Sequence, residues 1–321
     1  MRRIAIIGAG RMGLVHAKAW SSLGDRVAIT SVASRKPVDW ADQFGARQSA
    51  DIERVVTSPE VDIVDICLPT PMHPRVAVLA LEAGKHVLCE KPMALDMAGV
   101  QQITEAARRG PGRLMIAHVV RFFPAYAAIR EIVESGRLGA PTNLSAHRLA
   151  AGSRSIAWLR DATQSGGVAM DLLVHDYDQA NLLLGPPQSV YAQSHGREGV
   201  NVIIRHAGGG LSAIEGNTAM PAGFPFSTAI RVHCEGGVVE HHADGGDLRV
   251  IVREPGVAPV VQVIDPVDPY AVQACHFIDR LDAGLPMDEG SPEQGIAAVA
   301  VATAALASIR SGQPEAIRQP G

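Results

Sequence analysis

The chain has 321 residues, of which 47% are hydrophobic and 19% charged, and its formal net charge at pH 7 is -4. This composition is typical of a globular protein, and the length predicts two domains with separate cores. The small negative charge leaves no basic excess to hold a polyanion, so we expect no nucleic-acid partner.

Cysteine usage and the chain's apolar stretches bear on its compartment. The four cysteines are widely spaced and form no CxxC pair, which favours a reducing cytoplasm. The first apolar strand starts within a few residues of Met1, which leaves no room for a secretory signal. The longest apolar stretch, residues 296–309, is too short and too rich in alanine to span a bilayer. We therefore expect a cytoplasmic protein with no membrane role.

The first predicted element is a buried strand at residues 4–7, and a glycine-rich turn into a helix follows it. Gly8 permits the tight turn, and Gly10 lets the backbone approach a pyrophosphate. Gly13 allows the helix to lie close to the strand, and the free N–H groups and helix dipole face the anion. The turn therefore predicts a dinucleotide site. Its binding residues are Gly8, Gly10, Arg11, Met12 and Gly13.

Short β-rich runs alternate with helical ones as far as Ala117. Runs such as residues 61–68 suit strands that are covered on both faces, and the segments between strands are long enough for crossover helices. The alternation predicts a doubly wound (Rossmann) parallel sheet in an α/β domain over residues 1–119. The predicted strands are residues 4–7, 27–33, a short piece near 47, 63–68, 86–89 and 114–117.

The pattern changes after Pro124, and residues 120–321 are predicted to form an α+β domain. A run of β-like segments from residue 190 to residue 263, separated by glycine-rich turns, indicates a large antiparallel sheet. Capping residues predict two closing helices. The other predicted elements are helices at 125–135, 167–184, 268–284 and 291–310, and a strand at 142–147.

The end of the second predicted strand bears on cofactor choice. An NAD-selective site of this type carries an acidic residue there, whereas this chain has Ser34, Arg35 and Lys36. A hydroxyl and two cations would bind a 2′-phosphate through charge-assisted hydrogen bonds. We therefore favour NADP(H) over NAD(H), and the alternative is that Arg35 and Lys36 form a solvated loop.

Three polar clusters add candidate chemistry. The first, which includes Leu68, Pro69, Thr70 and His73, follows a buried strand, where a doubly wound sheet binds its ligand. The second, Glu90 and Lys91, directly follows the next strand, and we predict that both clusters border the cofactor. The third extends over residues 165–178.

In the third cluster, Asp171, His175 and Asp178 have the spacing i, i+4 and i+7. On a regular helix these positions share one face. A carboxylate one turn from an imidazole can hold its tautomer and raise its basicity. This face predicts a proton-handling unit, although a DxxxH pair on a helix is more often an ion pair or a buried, satisfied histidine.

With these motifs in order, the chain resembles the glucose-fructose oxidoreductase, inositol dehydrogenase and MocA family (GFO/IDH/MocA) over essentially its whole length. The resemblance implies that His175 is the general acid/base and that Lys91 hydrogen-bonds the reacting oxygen and helps to move its proton. It implies that Asp171 orients the substrate and tunes His175, and that the Lys91–Pro92 bond is cis. The motifs are the glycine turn at 8–13, TPxH at 70–73, EKP at 90–92, RFxP at 121–124 and GGxxxDxxxHxxD at 166–178.

The resemblance implies an NAD(P)-dependent oxidoreductase acting on a secondary alcohol or ketone of a sugar, cyclitol or related polyol. It also implies an open-faced sheet in the second domain that pairs with a partner subunit, hence a homodimer or homotetramer. Two alternatives stay open: a non-catalytic dinucleotide-binding regulator, and an enzyme with a tightly bound, recycled cofactor, such as an aldose-aldose oxidoreductase or an NAD-dependent glycosidase.

Weaker candidates complete the predicted site. Trp158, Arg160, Arg121 and Asp178 are candidates to border the substrate, and each also has an ordinary explanation in packing or ion pairing. His233, His241, His242 and Asp244 invite a zinc interpretation, but their spacing fits no familiar metal motif. We expect no metal.

Overall fold

The computed structural model describes residues 1–151, 157–196, 198–243 and 248–318. The chain divides into two compact units. Unit 1 contains Met1–Val119 and Asp268–Ile296, and unit 2 contains Val120–Val267 and Ala297–Gly321.

The elements are numbered here in chain order. The strands are β1 Arg2–Ile7, β2 Val27–Ala33, β3 Arg47–Ser49, β4 Ile63–Ile66, β5 His86–Glu90, β6 Leu114–Ala117, β7 Pro141–Leu149, β8 Pro187–His195, β9 Gly199–His206, β10 Leu211–Asn217, β11 Ser227–Cys234, β12 Gly237–Ala243, β13 Arg249–Arg253, β14 Val260–Val263 and β15 Glu315–Ala316. The helices are α1 Arg11–Ser21, α2 Trp40–Gln43, α3 Ile52–Val56, α4 His73–Glu82, α5 Met97–Arg109, α6 Pro124–Glu134, α7 Ala157–Arg160, α8 Ala162–Ser165, α9 Val174–Leu184, α10 Pro269–Asp282 and α11 Pro292–Ser311.

Unit 1 is built on a parallel sheet with the strand order β3-β2-β1-β4-β5-β6. Every residue of β4 is buried, as are the last four residues of β1, because such a sheet is covered on both faces. This confirms the predicted doubly wound sheet. β4 ends at Ile66, two residues before the predicted end, because the chain turns there into the loop that contains Leu68.

α10 packs in unit 1, although the sequence assigned residues 268–296 to the second domain. Its Phe277 is fully buried and meets the Trp20 ring of α1 edge-on, with 6.2 Å between ring centroids. The backbone N–H of Ile116 in β6 donates to the carbonyl of Gly290, at 2.7 Å. This aromatic contact and this hydrogen bond to β6 place residues 268–296 in unit 1. No local sequence pattern shows such contacts, which explains why the sequence assigned the segment to the second domain.

Unit 2 contains a mixed, mainly antiparallel sheet with the order β14-β13-β12-β11-β7-β10-β9-β8-β15 in the described residues. The pair β7 and β10 is parallel, and the other adjacent pairs are antiparallel. Burial alternates along β9, as expected for a sheet with one covered face. α6 and α9 pack on this sheet. The predicted large antiparallel sheet is confirmed.

α11 is long and apolar enough, by length and composition, to cross a membrane, with a mean hydropathy of 1.3. The prediction that its apolar stretch is too short was therefore wrong. Half of the apolar window is buried inside the protein, as in the core helix of a globular domain, and Val299, Val301 and Ala302 are fully buried. A single helix of this kind is weak support for a membrane span.

The packing of α10 on α1 predicts a large stability loss for Phe277→Ala. Removing a fully buried phenyl ring leaves a cavity against Trp20, and we expect a loss of about 3–5 kcal/mol in the free energy of unfolding. The control Val272→Ala lies on the exposed side of the same helix and should change it by less than about 0.5 kcal/mol. Urea unfolding followed by tryptophan fluorescence measures both. Equal effects of the two variants would contradict this packing.

Candidate functional site

The glycine-rich turn between β1 and α1 is packed so closely that two of its glycines have no room for a side chain. Gly8 has a φ of +106°, and a Cβ there would lie 2.5 Å from the Cys67 carbonyl oxygen. A Cβ on Gly13 would lie 2.1 Å from the carbonyl oxygen of Gly8. These contacts hold the first turn of α1 directly against the ends of β1 and β4.

The start of α1 suits an anionic ligand. Gly10 is the N-cap residue and makes no side-chain capping bond, and a Cβ on it would meet nothing within 4 Å. The N–H groups of Arg11, Met12 and Gly13 therefore begin the helix beside open space, with the positive end of the helix dipole behind them. The residues present fit a dinucleotide pyrophosphate.

The loop after β2 lies beside this turn, because the Gly8 N–H donates to the Ala33 carbonyl at 2.9 Å. The Ser34 hydroxyl donates to the carbonyl of Lys36 at 2.7 Å, and this bond closes the loop on itself. The side chains of Arg35 and Lys36 are exposed. The structure thus places two exposed cations in the loop next to the glycine turn.

The loop after β4 carries two buried polar side chains. The His73 ring lies within hydrogen-bond distance of two backbone carbonyls, that of Leu68 at 2.7 Å and that of Pro92 at 2.9 Å. Burial lowers the pKa of His73. Thr70 is 1% exposed, and within the described residues its hydroxyl has no hydrogen-bond partner. Next to it, Pro69 leads into a single 3₁₀ turn.

Glu90 is the last residue of β5 and Lys91 follows it, and contacts hold the backbone of both residues. The Lys91–Pro92 peptide bond is cis, as predicted. One oxygen of the buried Glu90 carboxylate, Oε2, accepts the backbone N–H of Lys91 at 3.0 Å. Lys91 itself is half-buried. Because β5 neighbours β4, and β4 neighbours β1, the glycine turn, the Thr70 loop and Lys91 all lie at the carboxyl ends of adjacent strands.

A buried ionic triad, which sequence reasoning missed, lies next to Glu90. His16 of α1 places Nδ1 3.0 Å from both oxygens of Asp65 and Nε2 3.0 Å from Oε1 of Glu90. The Trp20 indole also donates to Asp65, at 2.6 Å. The available signal was Asp65 itself, an acidic residue inside an otherwise apolar buried strand.

The charged groups of this triad shift the pKa values of His16 and Glu90 toward the ionised forms. Burial, the largest single influence, lowers the pKa of His16, but the charge and hydrogen bond of Asp65, together with contributions from Cys67, outweigh it, so the pKa stands well above its ordinary value. Burial would raise the pKa of Glu90, but the hydrogen bond and charge of His16 lower it. We therefore describe the triad as an imidazolium between two carboxylates.

In unit 2 the segment with the DxxxH spacing is not one regular helix. Residues Val168–Leu172 form a π-helical turn, in which the Leu173 N–H donates to the Val168 carbonyl at 3.0 Å, and α9 begins only at Val174. The predicted continuous regular helix over 167–184 was wrong, because this π turn takes the place of its first α-helical turn. Asp171 lies in the π turn and His175 in the first turn of α9, and both are half-buried. Such π turns are frequent at functional sites.

Arg121 and Asp178, both predicted to border the substrate, pair with each other. The guanidinium donates through Nε to Oδ2 at 2.7 Å and through a second nitrogen to Oδ1 at 2.8 Å, and both side chains are buried. A second buried bidentate pair, Arg148 with Asp176 at 2.8 and 3.0 Å, was missed by sequence reasoning. Each pair joins α9 to another element of unit 2, which explains the buried charges as structural contacts.

The remaining predicted candidates are placed as follows. Trp158 is half-buried in α7, and Arg160 at its end is exposed. Nδ1 of His241 donates to the Arg249 carbonyl at 2.7 Å, whereas His242, its neighbour on β12, points to the other face of the sheet. His233 is half-buried in β11, and Asp244 lies outside the described residues.

Among the described residues, one group has ligand atoms close enough to hold a metal ion: those of His16, Asp65 and Cys67 lie within 4.8 Å of one another. Both nitrogens of His16 and both oxygens of Asp65 already make the hydrogen bonds of the triad. Burial raises the pKa of Cys67 to about 12, so the thiol is protonated rather than a thiolate ligand. This donor set suits the ionic triad better than a metal.

Comparison with known proteins agrees with this geometry. Residues 2–118 match the GFO/IDH/MocA oxidoreductase family, NAD-binding Rossmann fold, and residues 126–240 match the GFO/IDH/MocA C-terminal domain. An inositol 2-dehydrogenase of Rhizobium meliloti (strain 1021) is 27% identical, with 96% of each chain covered. A 1,5-anhydro-D-fructose reductase of Ensifer adhaerens is 26% identical, with 98% of each chain covered.

Solved structures show the same fold. A levoglucosan dehydrogenase in complex with NADH superposes with a TM-score of 0.91 at 20% identity, covering 99% of this chain and all of the other. At this identity the likeness establishes the fold alone. Together with the two matched domains, it leads to one identification: the chain belongs to the GFO/IDH/MocA oxidoreductase family and is a dehydrogenase or reductase with an NAD-binding Rossmann domain.

Proposed function

We propose that the protein interconverts a secondary alcohol and the matching ketone of a sugar, cyclitol or related polyol, using a nicotinamide dinucleotide. The observation that carries the proposal is the row of groups at the carboxyl ends of β1, β4 and β5: the bare helix N-terminus, the buried Thr70 hydroxyl and Lys91. The names of the relatives, inositol 2-dehydrogenase and anhydrofructose reductase, support the substrate class.

Three residues carry the proposed chemistry. When bound, the nicotinamide supplies the acceptor or donor of a hydride. The substrate hydroxyl must then lose its proton, and His175 is the proposed general acid/base for that step. Lys91 donates a hydrogen bond to the reacting oxygen and stabilises its developing negative charge. Asp171 orients the substrate and tunes His175.

The proposed compartment is the cytoplasm. Cys67, Cys89, Cys234 and Cys275 are all free thiols in the structure. Unpaired cysteines are typical of proteins kept in a reducing environment.

The proposed roles predict that Lys91→Ala and His175→Ala each lose most of the turnover. We expect kcat/KM to fall by about 10²–10⁴-fold for either variant, because each removes a group that acts on the proton or charge of the reacting oxygen. The measurement is the absorbance change of the reduced nicotinamide, first in a screen of inositols, other polyols and aldoses with each cofactor. The steady-state constants are then determined on the best substrate.

Matched controls separate chemistry from general damage. Lys85 lies at the opposite end of β5 and donates to the carbonyls of Ser58 and Val61, and His195 is exposed at the end of β8. Lys85→Ala and His195→Ala should leave kcat/KM within about threefold of the wild type, since neither residue touches the proposed site. Near-normal turnover in both the Lys91 and the His175 variants would refute the roles.

We also propose a preference for NADP(H). It is supported by the exposed Arg35 and Lys36 beside the glycine turn, and by the lack of an acidic residue at the end of β2. The double variant Arg35→Ala/Lys36→Ala should weaken NADPH binding by about ten- to a hundredfold, because hydrogen bonds to a charged group are worth about 1.5–3 kcal/mol. Its affinity for NADH should stay nearly unchanged.

Dissociation constants from quenching of protein fluorescence test this preference. Arg47→Ala, a cation on the adjacent strand β3 that pairs with Glu60, is the control and should affect the two cofactors equally. Tighter binding of NADH than of NADPH by the wild-type protein would contradict the preference.

A homo-oligomer formed through the sheet of unit 2 completes the proposal. A groove of about 830 Å³ runs over this sheet and is lined by residues of its central strands. Ile203 on β9 lines it and is 45% exposed, so the groove presents an accessible aliphatic side chain on the open face of the sheet. The open-faced sheet that pairs subunits in the family supports a dimer or a tetramer.

The oligomer predicts that Ile203→Glu dissociates the protein, because a carboxylate would be buried without a partner in a subunit interface. Leu285→Glu, a similar change at a 46% exposed position of unit 1, should leave the assembly intact. Sedimentation velocity at micromolar concentration measures both. A monomeric wild-type protein would exclude the proposed assembly.

A further inference from the structure

The ionic triad formed by Asp65, His16 and Glu90 buries charged groups, which costs free energy, and its last member lies next to Lys91. Asp65 is fully buried in the central strand β4, and His16 and Glu90 are 2% and 7% exposed. Moving a charge out of water costs several kcal/mol unless partners compensate it. Replacing buried ion clusters by apolar residues is often neutral or stabilising, so stability alone does not account for this triad.

The geometry and the raised pKa of His16 agree on a doubly protonated ring. An ionised carboxylate only accepts hydrogen bonds, and His16 faces carboxylate oxygens with both ring nitrogens, at 3.0 Å each. An imidazolium in this position donates from both nitrogens and cannot rotate without breaking two charge-assisted bonds. The Trp20 indole N–H fixes Asp65 in turn.

The last member of the triad contacts Lys91. Glu90 accepts from His16 with Oε1 and from the backbone N–H of Lys91 with Oε2. Its carboxylate plane is thus set by the imidazolium on one side and holds the Lys91 backbone on the other. A rigid connection runs from β4 through α1 to the residue that directly follows β5.

We propose that His16 and Asp65 are positioning residues for Lys91, acting through Glu90 to hold the lysine backbone in one orientation. This inference rests on the proposed role of Lys91 and adds to it two residues that touch neither substrate nor cofactor in that role. A small rotation of Glu90 would move the Lys91 backbone and displace its ammonium group, and misplacement of such a group is costly for turnover.

The primary test is Asp65→Asn, which keeps the side-chain volume and an acceptor for Trp20 but removes the charge that holds His16. We expect kcat to fall by about 10- to 100-fold, the usual effect of losing a partner that orients a functional side chain. KM for the polyol and the dissociation constant for the cofactor should change by less than about threefold, because the triad contacts neither ligand in this proposal.

The matched control is Asp62→Asn, the same substitution just before the same strand. Asp62 pairs with Arg3 at 2.7 Å and accepts its backbone N–H at 2.8 Å, at the end of β4 remote from Lys91. Its loss should lower the melting temperature without lowering kcat of the folded protein. Equal losses of kcat in Asp62→Asn and Asp65→Asn would show a general structural effect and overturn the proposal.

A double-mutant cycle with Lys91→Ala separates this inference from the proposed function. Because Asp65 acts through Lys91, Asp65→Asn should cost little further activity once Lys91 is alanine. Additive losses overturn the positioning role while leaving the role of Lys91 intact. Unchanged kcat in Lys91→Ala would instead refute the proposed function and this inference with it.

Two further measurements keep the proposal testable if Asp65→Asn does not fold. His16→Gln, which can donate to only one carboxylate, should show the same selective loss of kcat. In wild-type protein with ¹⁵N-labelled histidine, the His16 ring should keep protons on both nitrogens at pH values above the ordinary histidine pKa of about 6.5. A His16 ring that is already neutral at that ordinary pKa would overturn the triad and the proposal.

Discussion

The contact between the first turn of α1 and the end of β1 determines how the candidate site of unit 1 is built. Gly13 lies so close to the Gly8 carbonyl that any side chain on it would overlap the backbone. This approach leaves the N-terminal amides of α1 at the carboxyl edge of the sheet, where an anion can bind. It also brings His16 and Trp20, one and two turns further along the helix, over Asp65 of the neighbouring strand. One backbone approach therefore positions both the cofactor cradle and the ionic triad.

Local sequence predicted the elements of unit 1 well, because its strands and helices follow short-range patterns. β2 and β6 have the predicted bounds, and the glycine turn has the geometry that its spacing requires. The parallel pairing of β7 with β10 in unit 2 joins segments that are about 70 residues apart, and no periodicity specifies such a register. The position of α10 in unit 1 likewise depends on a contact between segments that are far apart in the sequence. Its apolar face was visible, but its partner Trp20 lies at the other end of the chain.

The candidate site shows a similar limit. Residue type and position after a strand were enough to select Lys91 and Thr70, but not to show what holds them. Arg121 and Asp178 were selected as separate substrate contacts, whereas they form a buried bidentate pair across 57 residues of sequence. The π turn before α9 was not predicted, because the DxxxH spacing is equally compatible with a regular α-helix. Long-range polar pairing, rather than secondary structure, is what single-sequence reasoning lacked here.

In both units, the residue proposed for chemistry is a chain neighbour of a buried carboxylate that an ion pair holds in place. Lys91 is half-buried and directly follows Glu90, whose carboxylate is fixed by His16. His175 is half-buried and directly precedes Asp176, whose carboxylate is fixed by a guanidinium. In both places the costly buried ion pair lies one residue away from the group proposed for chemistry, so it constrains the backbone while the reactive side chain keeps its exposure. A hydrophobic replacement could match the packing, but it would not set the direction of a neighbouring side chain, because dispersion contacts lack the directionality of charge-assisted hydrogen bonds. In both places, charge-assisted hydrogen bonds therefore fix the direction of a buried carboxylate next to the residue proposed for chemistry.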